Sequence, residues 1–550
     1  MIFDKSNRPH GAPPEKRRSI YCLATETHPA TLLPPVVSIC LVFLLVLQGS
    51  AVRAQSGPAS LQSITRNDLK RHLSFLASDE LGGRYPFSTS GPITARYLAT
   101  QLASYGYRGA GPDSSFFQNV PLSHGTIDPS QSRLIVTVGG VAQTFTYESD
   151  YMLETPGEMP AYVRSELVFV GYGISSPRNQ YDDYAGLNVK DKFVITVKGT
   201  PESLNGVVLA WDEQGNAVTA AHGARGHIVI SQGLLSNYTL YSAGYAQRAF
   251  YGFSRPASTE ALQVVQAGPA LVKAMAEALG IEDGSLVTPE GKPLPPRAIP
   301  ATIEITIRFQ AKEMPPTYNV LGILEGADPH LKDEYVAFGA HYDHLKTSTN
   351  GTVFNGADDN ASGTAAILEI AQALAVGPRP KRSTLILFFT AEEIGLYGSK
   401  YFTDYQPMVP LSNLMAFLDA DMVGRSRREG GSGSVNTDLT DQNTVYLLGA
   451  DRRSTELYHI SEQANAETAH LRLDHSYQGS RKFLRSDHYN FDRHGIPVIW
   501  YHTGEHPEYH QPTDDLEKID FEKLDRISKL ILATGWRVLN LDHRLVVDHN

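Results

Sequence analysis

Two histidines and a set of carboxylates stand along this chain in an order that suits metal-assisted hydrolysis. His341 and Asp343 form a His-x-Asp. Asp358 and Asp359 lie in the stretch Gly356 to Gly363, Glu392 and Glu393 are adjacent, Asp421 opens an Asp-Met-Val-Gly, and His510 opens a His-x-Pro-x-Asp. Two imidazoles and three carboxylates ordered this way can hold two zinc ions about a shared aspartate, and one glutamate is then left over to act as a base. Taken singly, each has a plainer explanation. Acidic residues before a helix often cap it, paired glutamates suit the positive end of a helix, and a lone histidine is usually structural. The five segments in one order are what carry the chemistry.

Those residues need a scaffold that gathers them from distant parts of the chain. After Pro315-Pro316 the pattern is strand, helix, strand: Tyr335 to Gly339, Leu385 to Phe389, Leu414 to Leu418 and Pro497 to Trp500 read as central strands. Gly363 to Leu374 reads as a helix and Leu516 to Leu539 as the closing one. Each candidate ligand follows such a strand or lies a loop beyond it, and open α/β sheets bind ligands outside the carboxyl ends of their strands. The expected fold class is α/β, with a mixed central sheet flanked by helices. Residues 62 to 107 read as helices. From about Ser132 to Ile307 the texture changes to short β-type runs (Leu134 to Val138, Glu166 to Val170, Phe193 to Val197, Ala301 to Phe309), with one helix expected over Leu262 to Leu279. The expected organisation is therefore residues 1–54 as a signal peptide, 55–125 as the first part of the catalytic unit, 126–312 as an inserted, mainly β domain, 313–541 as the catalytic domain and 542–550 as a tail.

The leader rests on Lys16, Arg17 and Arg18 before the apolar run Val36 to Leu47, and on an A-x-A-type site at Ala51-Val52-Arg53-Ala54. The run is short for a membrane span, which needs about 20 residues, so export to the periplasm or the medium is expected, with no stable membrane anchor after cleavage. Both cysteines, Cys22 and Cys40, fall in this leader. Thiolate ligands, cysteine nucleophiles and disulfides are thereby excluded from the mature chain, and any zinc must be held by histidine and carboxylate. The formal net charge is −11 and no dense basic run occurs beyond the leader, which argues against nucleic acid as a partner. Apolar residues make up 41% of the chain, enough for a sizeable core.

Gly339-Ala340-His341-Tyr342-Asp343-His344, Gly356 to Gly363, Thr390-Ala391-Glu392-Glu393, Asp421-Met422-Val423-Gly424 and Tyr509-His510-Gln511-Pro512-Thr513-Asp514 together resemble the co-catalytic zinc aminopeptidases. Relatives of that family include glutamate carboxypeptidase, transferrin receptor and the zinc glutaminyl cyclases. The resemblance covers roughly residues 60 to 540. Val170 to Ile174 and Tyr181 to Tyr184 make the inserted region similar to the family's protease-associated domain. The resemblance implies that Asp359 bridges two metals, that His341 and Asp421 complete one, and that Glu393 and His510 complete the other. Glu392 would be the general base, Asp343 would orient His341, and Tyr509 would steady the tetrahedral oxyanion. Two Zn²⁺ are implied, with Co²⁺ or Mn²⁺ compatible with the same ligands. The implied substrates are peptides with a free N-terminus. A metallo-carboxypeptidase of the same architecture is the alternative, ahead of a glutaminyl cyclase or a non-catalytic receptor. Asp419 departs from the family, which often has asparagine two positions before the ligand aspartate.

Overall fold

A computed structural model of the chain describes residues 59–154, 161–207, 209–245, 249–253, 262–281, 286–288, 292–427 and 438–549. The expected leader, residues 1–54, lies outside the described residues. Four parallel strands form the centre of a nine-stranded mixed sheet. Tyr335–His341 pairs with Ser383–Phe389 on one side and Leu414–Ala420 on the other, and Val498–His502 lies beyond the latter. Every residue of these four strands is buried, as expected of strands covered on both faces. Thr317–Leu324 and Thr444–Leu448 add antiparallel neighbours at the two sides.

Strand alternation divides the packing. Val336, Phe338 and Ala340 face one core, which is shared with the helices Arg66–Leu76, Ser90–Ser104, Gly363–Val376 and Phe521–Leu539. Ala337, Leu385, Leu387 and Phe417 face a second core against Phe402 and Phe491. Helices therefore flank both faces, the architecture anticipated for the fold class. Because the four strands are parallel, their carboxyl ends share one edge, and His341, Glu392, Asp421 and the loop carrying His510 all emerge there.

Eight strands between Arg133 and Thr306 build a sheet of their own around Phe169, Phe193, Ile228, Val265, Met275 and Ile303. Its strands Tyr162–Phe169, Phe193–Val197, Gly226–Ile230 and Gln263–Ala267 run parallel to one another. The chain enters along Leu122–Ile127 and leaves along Phe309–Glu313, and these two strands pair antiparallel. The described residues form one compact unit.

Some local expectations differ from what forms. The helix expected over Leu262 to Leu279 is a strand as far as Ala267 and a helix only over Pro269–Ala278. Val264 and Val265 pair with Gly226–Ile230, and Pro269 suits only the first helical turn, so Gly268-Pro269 is a boundary. The closing helix begins at Phe521, where the Asp520 side chain accepts the N–H groups of Glu522 and Lys523.

His227 lies buried in the insert between Thr196 Oγ1 (2.8 Å from Nε2) and Asn216 Oδ1 (2.7 Å from Nδ1). An amide oxygen only accepts, so Nδ1 carries the proton and Nε2 accepts from the threonine hydroxyl. Burial pushes this imidazole down to about 4. Between about pH 6.5 and 4 the unfolded chain then binds more protons than the folded one, and stability falls as the pH is lowered. Urea unfolding of His227→Gln should lose about 2 kcal/mol less than the unsubstituted chain between pH 7 and 4.5; parallel slopes would remove His227 as a cause.

Candidate metal centre and active site

The site is assembled by turns at strand ends. Ala391, Met422 and His510 have φ of +59°, +57° and +57°. Each non-glycine residue in this left-handed region costs roughly 1–2 kcal/mol, and all three supply a candidate ligand or lie within two residues of one. The chain reverses at Ala391, and Glu392 and Glu393 reach different halves of the site.

In one half, His341 Nε2 lies 3.4 Å from Asp359 Oδ1 and 3.4 Å from Asp421 Oδ1. In the other, His510 Nε2 lies 3.1 Å from Asp359 Oδ2 and 3.0 Å from Glu393 Oε2. The two oxygens of Asp359 thus face separate imidazoles. Glu392 Oε2 is 3.9 Å from His341 Nε2. Tyr509 stacks on His510 with ring centroids 3.8 Å apart and lines the pocket with Met422 and Trp500. Asp358 turns away: its Oδ1 accepts the Gly424 N–H at 2.7 Å, and its Oδ2 lies 3.4 Å from His506 Nε2.

Asp343 works through two atoms. Its backbone carbonyl, not its carboxylate, is within hydrogen-bonding distance of His341 Nδ1, at 3.2 Å against 3.9 Å. The carboxylate instead accepts the Glu392 N–H at 3.1 Å and so fixes the turn that carries both glutamates. Asp419, the departure from the family, accepts from Ser486 Oγ and the His488 N–H, both at 3.1 Å. It pins the Arg485-to-His488 stretch behind the ligand strand.

Four residues that the sequence did not single out complete the frame. His344 is buried, with Nδ1 2.6 Å from Glu393 Oε1. Asn360 Nδ2 donates to the Ala420 carbonyl while its Oδ1 accepts the N–H of Gly363, tying the Asp359 loop to the Asp421 strand. Asp514 Oδ2 accepts the N–H groups of both Asp358 and Asp359, at 3.0 and 3.2 Å. Arg84, 1% exposed, donates to the carbonyls of Leu76, Tyr342, Asn355 and Gly356 at 2.6–3.0 Å. The turn before it requires Gly83: at φ +82°, an added Cβ would sit 2.1 Å from the Leu345 carbonyl oxygen. The Gly82-Gly83-Arg84 pattern was the available sequence signal, but it reads as an ordinary turn until the folded chain reveals what the arginine meets.

The electrostatics fit a site built for cations. Burial pushes Glu392 well above the usual carboxyl range, with Glu393 and Asp421 adding to it and His341 opposing. Burial likewise raises Asp343 to about 7 and, with Asp421 nearby, Asp419 to about 8. Burial also opposes ionisation of Asp359, yet the imidazoles of His341 and His510 hold it well below its ordinary value. His510 itself, despite burial, is raised to about 10 by Asp359 and Glu393.

Nitrogen and oxygen atoms of His341, Asp359 and Asp421 lie within 4.8 Å of one another, as do those of His344, Asp359 and Glu393. Asp421 Oδ1 and His510 Nε2 are enclosed without a hydrogen-bond partner, although carboxylates and imidazoles surround them. A donor set of imidazole nitrogen and carboxylate oxygen, with lone pairs converging and unspent, fits divalent zinc.

A buried imidazole–carboxylate centre at the carboxyl edge of a mixed α/β sheet defines a class of metal-dependent site. Residues 319–535, which contain every candidate ligand, match Peptidase family M28. Aminopeptidase YwaD of Bacillus subtilis (strain 168) is 29% identical over 248 residues, covering 44% of this chain and 49% of that protein. A protein of Pyrenophora tritici-repentis named "Probable zinc metalloprotease" is 29% identical over 248 residues, covering 40% and 50%. The chain spans about half the length of the curated relatives it matches. A solved structure of BSAP, a zinc aminopeptidase from Bacillus subtilis, aligns over 88% of this chain and 98% of its own at 19% identity, with a TM-score of 0.43.

Arg84 gives a direct test of the frame. Arg84→Met should destabilise the chain by about 3 kcal/mol or more in urea unfolding, because four buried carbonyls lose their donor. Arg84→Lys should recover only part of this, since an ammonium cannot reach them all. Unchanged stability in Arg84→Met would show that the clamp is dispensable.

Proposed function

We propose that this chain is an exported zinc-dependent exopeptidase that removes N-terminal residues from peptides. The observation that carries the reading is Asp359, whose two oxygens face His341 and His510 from opposite sides. His341, Asp359 and Asp421 would hold one ion, and Asp359, Glu393 and His510 the other. His344, already bonded to Glu393 through Nδ1, would orient that carboxylate, leaving the open lone pair of His510 as the ligand. Bound there, two zinc ions would acidify a shared water and polarise a scissile carbonyl.

The chain's own groups supply the rest. Glu392, raised by burial, can take a proton at Oε2 and return it to a leaving amine, work worth about 10²–10⁴-fold. Asp343 holds the Glu392 backbone, and the Tyr509 hydroxyl is a candidate donor to an oxyanion. An aminopeptidase is favoured over a carboxypeptidase by the pocket's cations. Lys482 is paired with Asp438, and Arg485 with Glu505 at 2.6 Å, so neither is free to grip a terminal carboxylate there. We assign residues 126–312 to a protease-associated insert and residues 1–54 to a cleaved leader; no helix among the described residues is long and apolar enough to cross a membrane.

Glu392→Gln should lower kcat by about 10²–10⁴-fold with two zinc ions per chain retained by metal analysis; near-normal turnover would dismiss Glu392 as the base. Peptides with a free N-terminus should be cleaved and their N-acetylated forms spared, and equal cleavage of both would overturn the aminopeptidase reading.

A further inference from the structure

The catalytic pocket is not the roomiest cavity of the molecule. A cavity of about 750 Å³ lies on the insert, outside the carboxyl ends of the parallel strands Phe193–Val197 and Gly226–Ile230. That is where open α/β sheets place ligands, and such a volume holds a molecule of several residues. Its floor is a hydrogen-bonded chain: Thr196 to His227, His227 to Asn216, Asn216 to Glu154, and Gln266 to Glu154 at 2.6 Å. Tyr172 and Tyr241 line its walls.

Two cations face this cavity, Lys198 from the insert and Arg481 from the catalytic unit. Neither makes an ion pair among the described residues. Neighbouring cations differ: Lys482 and Arg485 are paired as above, and Arg452 bridges Asp212 and Asp492 at 2.8 and 2.9 Å. Among the described residues the cavity thus presents two cations without an ion-pair partner, while its one lining carboxylate, Glu154, accepts from Asn216 and Gln266 on the floor. Its position is equally specific. Arg481 belongs to the turn Arg481–Leu484, and from that same short stretch Lys482 and Arg485 line the mouth of the catalytic pocket. The backbone from Arg481 to Arg485 spans at most about 14 Å, so one turn separates the two spaces.

We propose that this cavity is an extended substrate subsite, which takes the carboxy-terminal part of a short peptide and pairs its terminal carboxylate with Lys198 and Arg481. The inference rests on the peptidase reading and deepens it, from peptides in general to short peptides with a free C-terminus. An extended chain advances about 3.3 Å per residue, so four or five residues reach from the scissile bond across the turn. The peptide's amides meet the polar floor, and its side chains meet Tyr172 and Tyr241.

The test uses a pentapeptide Xaa-Ala-Ala-Ala-Ala and its C-terminal carboxamide, where Xaa is the residue released fastest from an aminoacyl anilide. The acid should show a KM about tenfold below that of the amide, with similar kcat. In the Lys198→Ser/Arg481→Ser double variant that ratio should collapse to near one. Calorimetry of the same two peptides with the full-length Glu392→Gln protein should show the same preference without turnover. Equal KM and equal binding of acid and amide by the unsubstituted and Glu392→Gln proteins would overturn the subsite, whether or not the double variant folds. Absence of anilide hydrolysis would count against the peptidase reading alone, because the binding preference is measured separately.

Discussion

Mutual repulsion among carboxylates governs the centre of this molecule. Asp343, Asp359, Glu392, Glu393, Asp419 and Asp421 crowd the edge of one sheet, with little water to screen them. Burying one unpaired charge costs several kcal/mol, and each like neighbour adds to it. The chain answers in three ways. Imidazoles approach Asp359 from both sides, Arg84 stands behind the loops with its positive charge, and Asp343, Asp419 and Glu392 are pushed toward their neutral forms. The remaining deficit of positive charge is the physical basis of the metal affinity proposed for the site. A set of groups that would be costly without cations is well arranged to hold them.

Such a centre demands a stiff frame, because a shift of a few tenths of an ångström changes which carboxylate faces which imidazole. The frame is built from backbone hydrogen bonds more than from the ligands themselves. Asp514 receives two amides of the Asp359 loop, Asn360 ties that loop to the Asp421 strand, and Asp343 fixes the turn before Glu393. Arg84 adds four carbonyls gathered from three segments. These contacts connect the N-terminal helices, the central strands and the His510 loop, so the site is held by parts of the chain far apart in sequence. The left-handed residues Ala391 and Met422 persist because this frame over-determines them.

The insert follows a different logic. It has its own core and sheet, joined to the catalytic unit by two paired strands and by the Arg452–Asp212 ion pair. Its parallel strands end at a polar cavity that neighbours the catalytic pocket, and the turn from Arg481 serves both. An element that reads as a supporting β domain thereby gains a surface suited to a ligand.

The sequence by itself determined the catalytic sheet and the candidate ligand positions. Unbroken apolar runs such as Leu385 to Phe389, set in a strand-helix-strand pattern, read as strands buried on both faces, and ligand chemistry restricts metal sites to a few residue types in a recognisable order. It also showed a change to β-type texture from about Ser132 to Ile307, although the strand at Gln263–Ala267 escaped it, because a short apolar run has the same composition in a helix as in a strand. Tertiary structure alone decided the rest. That Asp343 acts through its carbonyl on His341 and its carboxylate on Glu392, that His344 reaches Glu393, and that Arg84 closes on the Asp359 loop all depend on through-space approach. No periodicity or spacing encodes which backbone carbonyl an arginine will meet two hundred and more residues away. The same holds for the cavity: Lys198 and Arg481 are ordinary surface cations in sequence, and only the packing of two sheets sets them around one space.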